Sequence, residues 1–470
     1  MLPVLLLAAA ITAAGQVAGD DPPRLVVSIV IDQLSSDRLS TYSQYYTSGG
    51  FNRLLALGTV YPSASYPFSP VDRSSAIAAL STGVSPYYNS IVGQRWLNRQ
   101  TLRPIWCVYD DRYAGLHTIE AASPEALGTS TLGDELKVST AGKAKVWSVA
   151  PTSDAAILSA GHAADGALWI NDERGQWCSS LYYMKSLPQW AAMERKSGAA
   201  VNSDITDMAL QCINATGMGT DATTDMLCIT YLAGSEDAKY AGDDTYRQQN
   251  IYTRLDAEIA RLVEMVERRL GAGNVLFALT GTGYSKEREE HDYQKYRIPT
   301  GTFYMSRTAD LLNMYLGAIW GQGKYVETTF RNHIFLDHNL LDQKKISISN
   351  ATSRAQELLV MMSGVRNVYT SLQLLTISNE QIHLVRQGYH PERCGDLVIE
   401  TSPGWRVLNE NTGESEYLRA SFFQFPIIFY GAGMEARHVQ QPVTIDRIAP
   451  TLARRMRIRA PNACSSEPLF

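Results

Sequence analysis

What the chain lacks sets the first limits. Its six cysteines (Cys107, Cys178, Cys212, Cys228, Cys394 and Cys464) include no Cys-x-x-Cys pair, which argues against a zinc ribbon and a dense disulfide scaffold. There is no Gly-x-Ser-x-Gly elbow, no phosphate-cradling P-loop and no Gly-x-Gly-x-x-Gly fingerprint, so none of those three chemistries has support in the sequence. Past the N-terminal leader, no segment approaches the roughly 18 uninterrupted apolar residues of a membrane-spanning helix. A strong charge imbalance is also missing. With 42 Lys+Arg against 47 Asp+Glu the formal net charge is −5, and scattered basic residues on a mildly acidic chain speak against nucleic-acid binding. Imidazole is scarce: there are eight histidines, and none between Cys212 and Arg288. No internal repeat and no low-complexity tract is present.

What is there is an ordinary globular composition. The 470 residues are 45% hydrophobic and 19% charged, enough for one large α/β domain or two or three smaller ones without disulfide staples. Leu2 to Ala14 is almost wholly apolar, small residues follow to Gly19, and Asp20-Asp21-Pro22-Pro23 ends the stretch. This reads as a signal peptide over residues 1–19, implying export to a periplasmic or extracellular space. No Lys or Arg precedes the apolar run, which leaves the true start codon open. In an oxidising compartment some cysteines could pair, and the sequence does not say which.

Leu25 to Ile31 is a near-continuous β-branched run, as expected of a strand buried on both faces of a parallel sheet. It ends at Asp32, where such sheets open the crevice in which they bind ligands. Further buried strands are expected over Ala144–Val149, Met226–Tyr231, Asn274–Leu279 and Pro426–Tyr430. Helices are expected over Phe51–Leu57 and over Thr245–Leu270. The second carries an apolar stripe at Ile251, Leu255, Ile259, Leu262, Val263 and Val266. The expected fold is α/β, a doubly wound, mostly parallel sheet flanked by helices. Residues 22–470 would form a single domain, with aromatic-rich cap insertions at about 84–190 and 286–391.

Strand-Asp32, Ser81-Thr82-Gly83, Gly161-His162-Ala163-Ala164 and Tyr182-Tyr183-Met184-Lys185 occur in that order. They are followed by Tyr252 to Asp256, Leu279-Thr280-Gly281, Gly388-Tyr389-His390-Pro391, Phe429-Tyr430-Gly431 and Asp446-Arg447-Ile448-Ala449-Pro450-Thr451. In order and spacing, over roughly residues 24 to 470, these pieces resemble the alkaline phosphatase superfamily. The resemblance is to its phosphate-irrepressible branch, related to the type I phosphodiesterases and nucleotide pyrophosphatases. It implies an alkaline phosphatase-like fold and a two-zinc phosphoryl transfer. Metals about 4 Å apart would clamp the attacking and leaving oxygens, with a Thr or Ser nucleophile on one of them.

The family's roles fall on unexpected residues here. Asp32 keeps the first metal-ligand position, but the nucleophile position is Arg73. The phosphate-gripping Asn corresponds to Gln94, and the Lys-x-Arg pair to Thr152 and Asp154. The Asp-x-x-x-His ligand pair falls on Ser235 and Lys239, the Asp-His pair on Thr282 and Gly283, and the last His near Ser415. Two zinc sites need nearby imidazoles or thiolates, whereas carboxylates alone suit Mg²⁺ or Ca²⁺. No zinc or other cofactor and no catalytic residue is therefore expected. His162 and His390 read as structural hydrogen-bonders, and His291, His333, His338 and His383 as surface residues.

Charge suggests what replaces the metals. Asp32, Arg73 and Lys239 together leave +1, as three Asp and two Zn²⁺ would, and Asp154 brings the total to zero. The expectation is that the cationic side chains stand in for the metals and pair with Asp32, since a lone buried carboxylate is costly. Functionally, the sequence suggests an exported, non-catalytic relative that binds a protein, glycan or lipid partner. Aromatics such as Tyr87, Tyr88, Trp96 and Trp106 could supply an interface. The alternative is a metal-dependent phosphomonoesterase or phosphodiesterase with a rebuilt site.

Overall fold

The computed structural model describes residues 21–171, 175–192, 201–234, 244–284, 297–377, 379–416 and 424–470. The expected leader over residues 1–19 lies outside them. Leu25–Asp32 forms the central strand of an eleven-stranded sheet. It pairs in parallel with Val275–Gly281 on one side and Asp225–Leu232 on the other. Val146–Val149 and Gly166–Asn171 continue the parallel run. The flanks are antiparallel: Phe425–Gly431 followed by Thr59–Ser65 on one side, and Gln176–Ser180 on the other.

Both faces of this sheet are covered, which is why the central strands are apolar without alternation. Val26 and Val30 face one core, shared with the helices Arg73–Thr82, Ser153–Ala160 and Ile448–Met456. Leu25, Val27, Ile29 and Ile31 face the other, shared with Phe51–Leu57, Val201–Thr216 and Asp244–Leu270. The stripe on the last helix is placed as its periodicity predicts, with Leu255, Ile259, Leu262, Val263 and Val266 all buried. This is the expected doubly wound, mostly parallel α/β architecture.

The stretches outside the sheet have different limits from those expected. Within 84–190, only part lies off the main sheet, including the two-stranded ribbon Arg95–Asn98 and Arg103–Trp106. Val146–Val149, Gly166–Asn171 and Gln176–Ser180 are sheet strands. The second cap extends past residue 391. Leu397–Thr401 joins a four-stranded sheet, while Trp405–Asn409 and Glu414–Glu416 join a three-stranded one. Its helices Met305–Trp320 and Ile348–Leu359 pack on a separate apolar core built around Leu312, Leu316, Ile334, Leu359 and Leu397.

Candidate functional site

The site lies at the carboxyl ends of the parallel strands, where an open α/β sheet has its crevice. Because Ile31 is in register with Gly281, the residues following both strands meet. Thr282 Oγ1 donates to Asp32 Oδ1 at 2.8 Å and accepts from the Gln33 main-chain N–H at 2.9 Å. Tyr284 OH donates to Asp32 Oδ2 at 3.1 Å. Asp32 and Thr282 are fully buried.

Arg73 enters from the first turn of its helix. That turn is set by a capping box in which the Asp72 side chain accepts from the Ser75 N–H and Ser75 returns a bond to the Asp72 N–H. The second Asp72 oxygen accepts the Gln94 N–H at 2.8 Å and stands 3.8 Å from Arg331 of the cap. Arg331 itself forks onto Glu416 at 2.8 and 2.9 Å. The helix start is thus held from the cap as well as from the sheet.

From this anchor the Arg73 guanidinium reaches two carboxylates. Its Nε and Nη2 lie 3.2 and 3.3 Å from Asp154, and its Nη1 lies 3.8 Å from Asp32. Ser74 Oγ adds a 2.6 Å bond to Asp154. Asp154 sits in the first turn of its own helix, where the helix dipole favours a negative charge. All three charged groups are buried.

The electrostatics follow from that closeness. Burial alone would raise the Asp154 carboxyl, but Arg73 and the Ser74 hydroxyl more than offset it and hold it below the usual carboxylate range. Burial would likewise lower Arg73, yet Asp154 first and Asp32 second keep it above its ordinary value. Tyr284 is pushed up by burial and then by Asp32, so it stays a neutral phenol that donates. The Cys107 thiol is raised well above its usual value by burial and by Asp154, which makes it a poor nucleophile. Asp32, Arg73 and Asp154 sum to −1. The neutral total expected above requires Lys239, which lies outside the described residues.

Among the described residues, the donor set does not fit a zinc pair. Both Asp32 oxygens accept hydrogen bonds from hydroxyls, and the neighbouring guanidinium has no lone pair to offer a metal. Among the described residues no three His, Cys, Asp or Glu side chains form a metal-binding group.

A family model described as "Type I phosphodiesterase / nucleotide pyrophosphatase" matches residues 26–421. The chain belongs to this family. Its curated relatives include the alkaline phosphatase PhoV of Synechococcus elongatus, 25% identical and aligned over 94% of this chain and 91% of that protein. Alkaline phosphatase PafA of Elizabethkingia meningoseptica is 23% identical over 95% and 94%. The crystal structure of wild-type PafA superposes with a TM-score of 0.83 at 22% identity, covering 95% of this chain and 98% of that one. That likeness establishes the fold that the motif order suggested.

Within this family fold, the structure gathers Asp32, Arg73, Asp154 and Thr282 into one cluster. Thr152 is adjacent as the N-cap of the Asp154 helix. Gly283 adopts φ +68° against Tyr66 and Phe425, so it shapes the strand exit and offers no side chain. Gln94 contributes through its main-chain N–H to Asp72. Ser415 is elsewhere: it pairs with Leu408 in the cap's three-stranded sheet and is exposed. The chain ahead of Phe429 leads back to that cap strand and not to the cleft. Ser235 and Lys239 lie outside the described residues. The main partner of Arg73 is Asp154 rather than Asp32, because the guanidinium fork fits one carboxylate with two bonds.

Two further side chains complete the cluster, Tyr284 and Ser74. Tyr284 carries no signal beyond its place two residues after Thr282 on the strand exit. Ser74 adjoins Arg73, and nothing in the sequence sets its hydroxyl apart from those of Ser69 and Ser75. Of the histidines, His162 bonds Asp134 and the Leu127 carbonyl at 3.0 and 3.2 Å, and His390 lies 3.3 Å from Ser90 Oγ, both structural roles. His333 departs from the surface reading: it is half-buried, and its surroundings lower its imidazole to about 3. It packs against Phe335 and accepts the Gly395 N–H.

Proposed function

We propose that the chain is an exported alkaline phosphatase-like protein that works by binding, its Asp32 cleft not running two-zinc phosphoryl transfer. One observation carries this reading. The position that the family resemblance gives to the nucleophile is Arg73, and its guanidinium is bound by Asp154 on one side and faces Asp32 on the other. With its one described cation held between two carboxylates, the cluster has none left for a phosphate's non-bridging oxygens. Export rests on the leader-like residues 1–19. No described helix is long and apolar enough to cross a membrane.

A second reading has its own support. Relatives aligned over 94% and 95% of the chain are named alkaline phosphatases, which favours a phosphoric ester hydrolase with a rebuilt site. One experiment separates the two. The mature chain, purified with zinc present, is assayed for metal content and for hydrolysis of 4-nitrophenyl phosphate and bis(4-nitrophenyl) phosphate. Fewer than about one zinc per ten chains, with no turnover that a chelator abolishes, is the expected result. Close to two zincs per chain with chelator-sensitive turnover establishes the hydrolase instead.

A further inference from the structure

A groove of about 810 Å³ runs between the Arg95–Asn98 ribbon strand and the second cap. None of its lining residues belongs to the Asp32 cluster. Its volume falls within the range of small-molecule sites, about 300–1,000 Å³. Two guanidinium groups and an imidazole line it: Arg99, Arg393 and His338.

The three are balanced unequally. Asp396 is claimed by two of them, with Arg99 Nη2 and His338 Nε2 at 3.1 and 3.0 Å from its Oδ1. Its Oδ2 also accepts the Leu336 N–H at 2.8 Å. Among the described residues, no carboxylate lies within ion-pair distance of Arg393. Its guanidinium stacks over the Trp96 ring at 4.2 Å and donates to the Ser90 and Ala126 carbonyl oxygens. Those bonds leave N–H donors of its five-donor fork without a protein acceptor. Glu392, the remaining carboxylate, stands exposed on the rim. The buried arginine of the Asp32 cluster is held above its ordinary value, whereas burial lowers Arg393 to about 10 because the nearby Cys107 and Glu392 offset it only in part. An anion in the groove would supply the missing partner.

The rest of the wall is part polar, at Asn98, Gln100 and Ser371, and part apolar. Leu97, Ile348, Leu375 and Tyr389 line the apolar part, and Ile348 and Leu375 are each 38% exposed. Leu372 lies one turn before Leu375 on the same short helix and is 46% exposed. An arginine without an ion-pair partner among the described residues, beside the exposed Ile348 and Leu375, matches a ligand with an acidic head and an apolar body.

We propose that this groove binds an amphiphilic organic anion, its acidic head on Arg393 and Arg99 and its apolar body along Ile348 and Leu375. The proposal names a ligand class for the binding role, and it stands whether or not the Asp32 cleft turns over. Calorimetric titration tests it on the full mature chain with 1-decanesulfonate below its micelle concentration, an anion that no phosphatase hydrolyses. Neutral decyl glucoside is the control. The expected result is saturable binding of the sulfonate and at least about tenfold weaker binding of the glucoside. Arg393→Gln should weaken the sulfonate by about tenfold or more. Leu375→Glu, an exposed change that places a negative charge on the wall, should weaken it similarly while leaving the thermal midpoint unchanged. Equal affinity for both amphiphiles, or a Leu375→Glu protein that binds as the wild type does, overturns the proposal. The hydrolysis assay above reports on the Asp32 cleft alone, so the two readings fail separately.

Discussion

Arg73 Nε stands 3.2 Å from Asp154 Oδ2, joining the first turns of two helices whose contact residues are 81 positions apart in sequence. The helices leave the sheet side by side, and the arginine closes the gap between their N-termini. Removing one partner of a buried pair leaves a charge with no compensation, which costs about 3–5 kcal/mol. Arg73→Met should therefore lower the unfolding free energy by that amount in urea titrations at neutral pH. Combining it with Asp154→Asn should recover part of the loss, since the two residues couple directly. A change within about ±0.5 kcal/mol, the range for uninvolved surface sites, would falsify the internal pairing.

The same contact sets an acid limb. The folded Asp154 carboxyl titrates below its ordinary 3.8, so its contribution to stability is complete above that value. It is lost as the pH falls through the lower folded value. Stability of wild type and Asp154→Asn should differ by a constant amount from about pH 5 to 8 and converge below about pH 4. A difference that persists unchanged into acid would mean the carboxylate is not what the variant removed.

His162 runs the other way. Its hydrogen bond to Asp134 raises it above 6.5 despite partial burial. The stability it contributes is therefore fully present below pH 6.5 and is lost as the pH rises through the folded value. The gap between wild type and His162→Gln should be widest at about pH 5–6 and narrow toward alkaline pH. Side-chain exposure of 34% makes the effect modest. A gap that widens with pH contradicts the assigned pair.

Gly388 marks where the cap touches the first core. A Cβ there would lie 2.4 Å from the Ser69 carbonyl oxygen and 3.0 Å from its carbon, both main-chain atoms that cannot swing aside. The nearby Ser69 N–H donates to Leu384 O at 2.9 Å. Gly388→Ala should cost about 1–3 kcal/mol as the chains are forced apart, seen as a lower thermal midpoint and faster proteolysis of the cap. An unchanged midpoint and digestion pattern would show that the contact yields without cost.

The central strand and the long helix were legible for a simple reason. Leu25–Asp32 is covered on both faces and Asp244–Leu270 on one, and those two situations write different apolar periods into the chain. Asp32 was readable too, because a carboxylate ending a buried strand stands out. Tyr284 and the Arg99–Asp396–His338 group left no comparable mark. Their partners lie far away in sequence, and a phenol or an arginine in a loop looks the same whether or not it meets a carboxylate.

The cap shows the same divide. Its strands are short, half-exposed and separated by long connections, so neither their number nor the place of Ser415 could be counted from the motif at Phe429. By itself, then, the chain determined the α/β class, the buried strand that ends at Asp32 and the apolar stripe of the long helix, since local period is a property of sequence. Only the tertiary structure decided that Arg73 turns to Asp154 and that Arg393 has no ion-pair partner among the described residues. Ion pairing depends on which side chains arrive within about 4 Å of one another, and that distance is set by the packing of the whole fold.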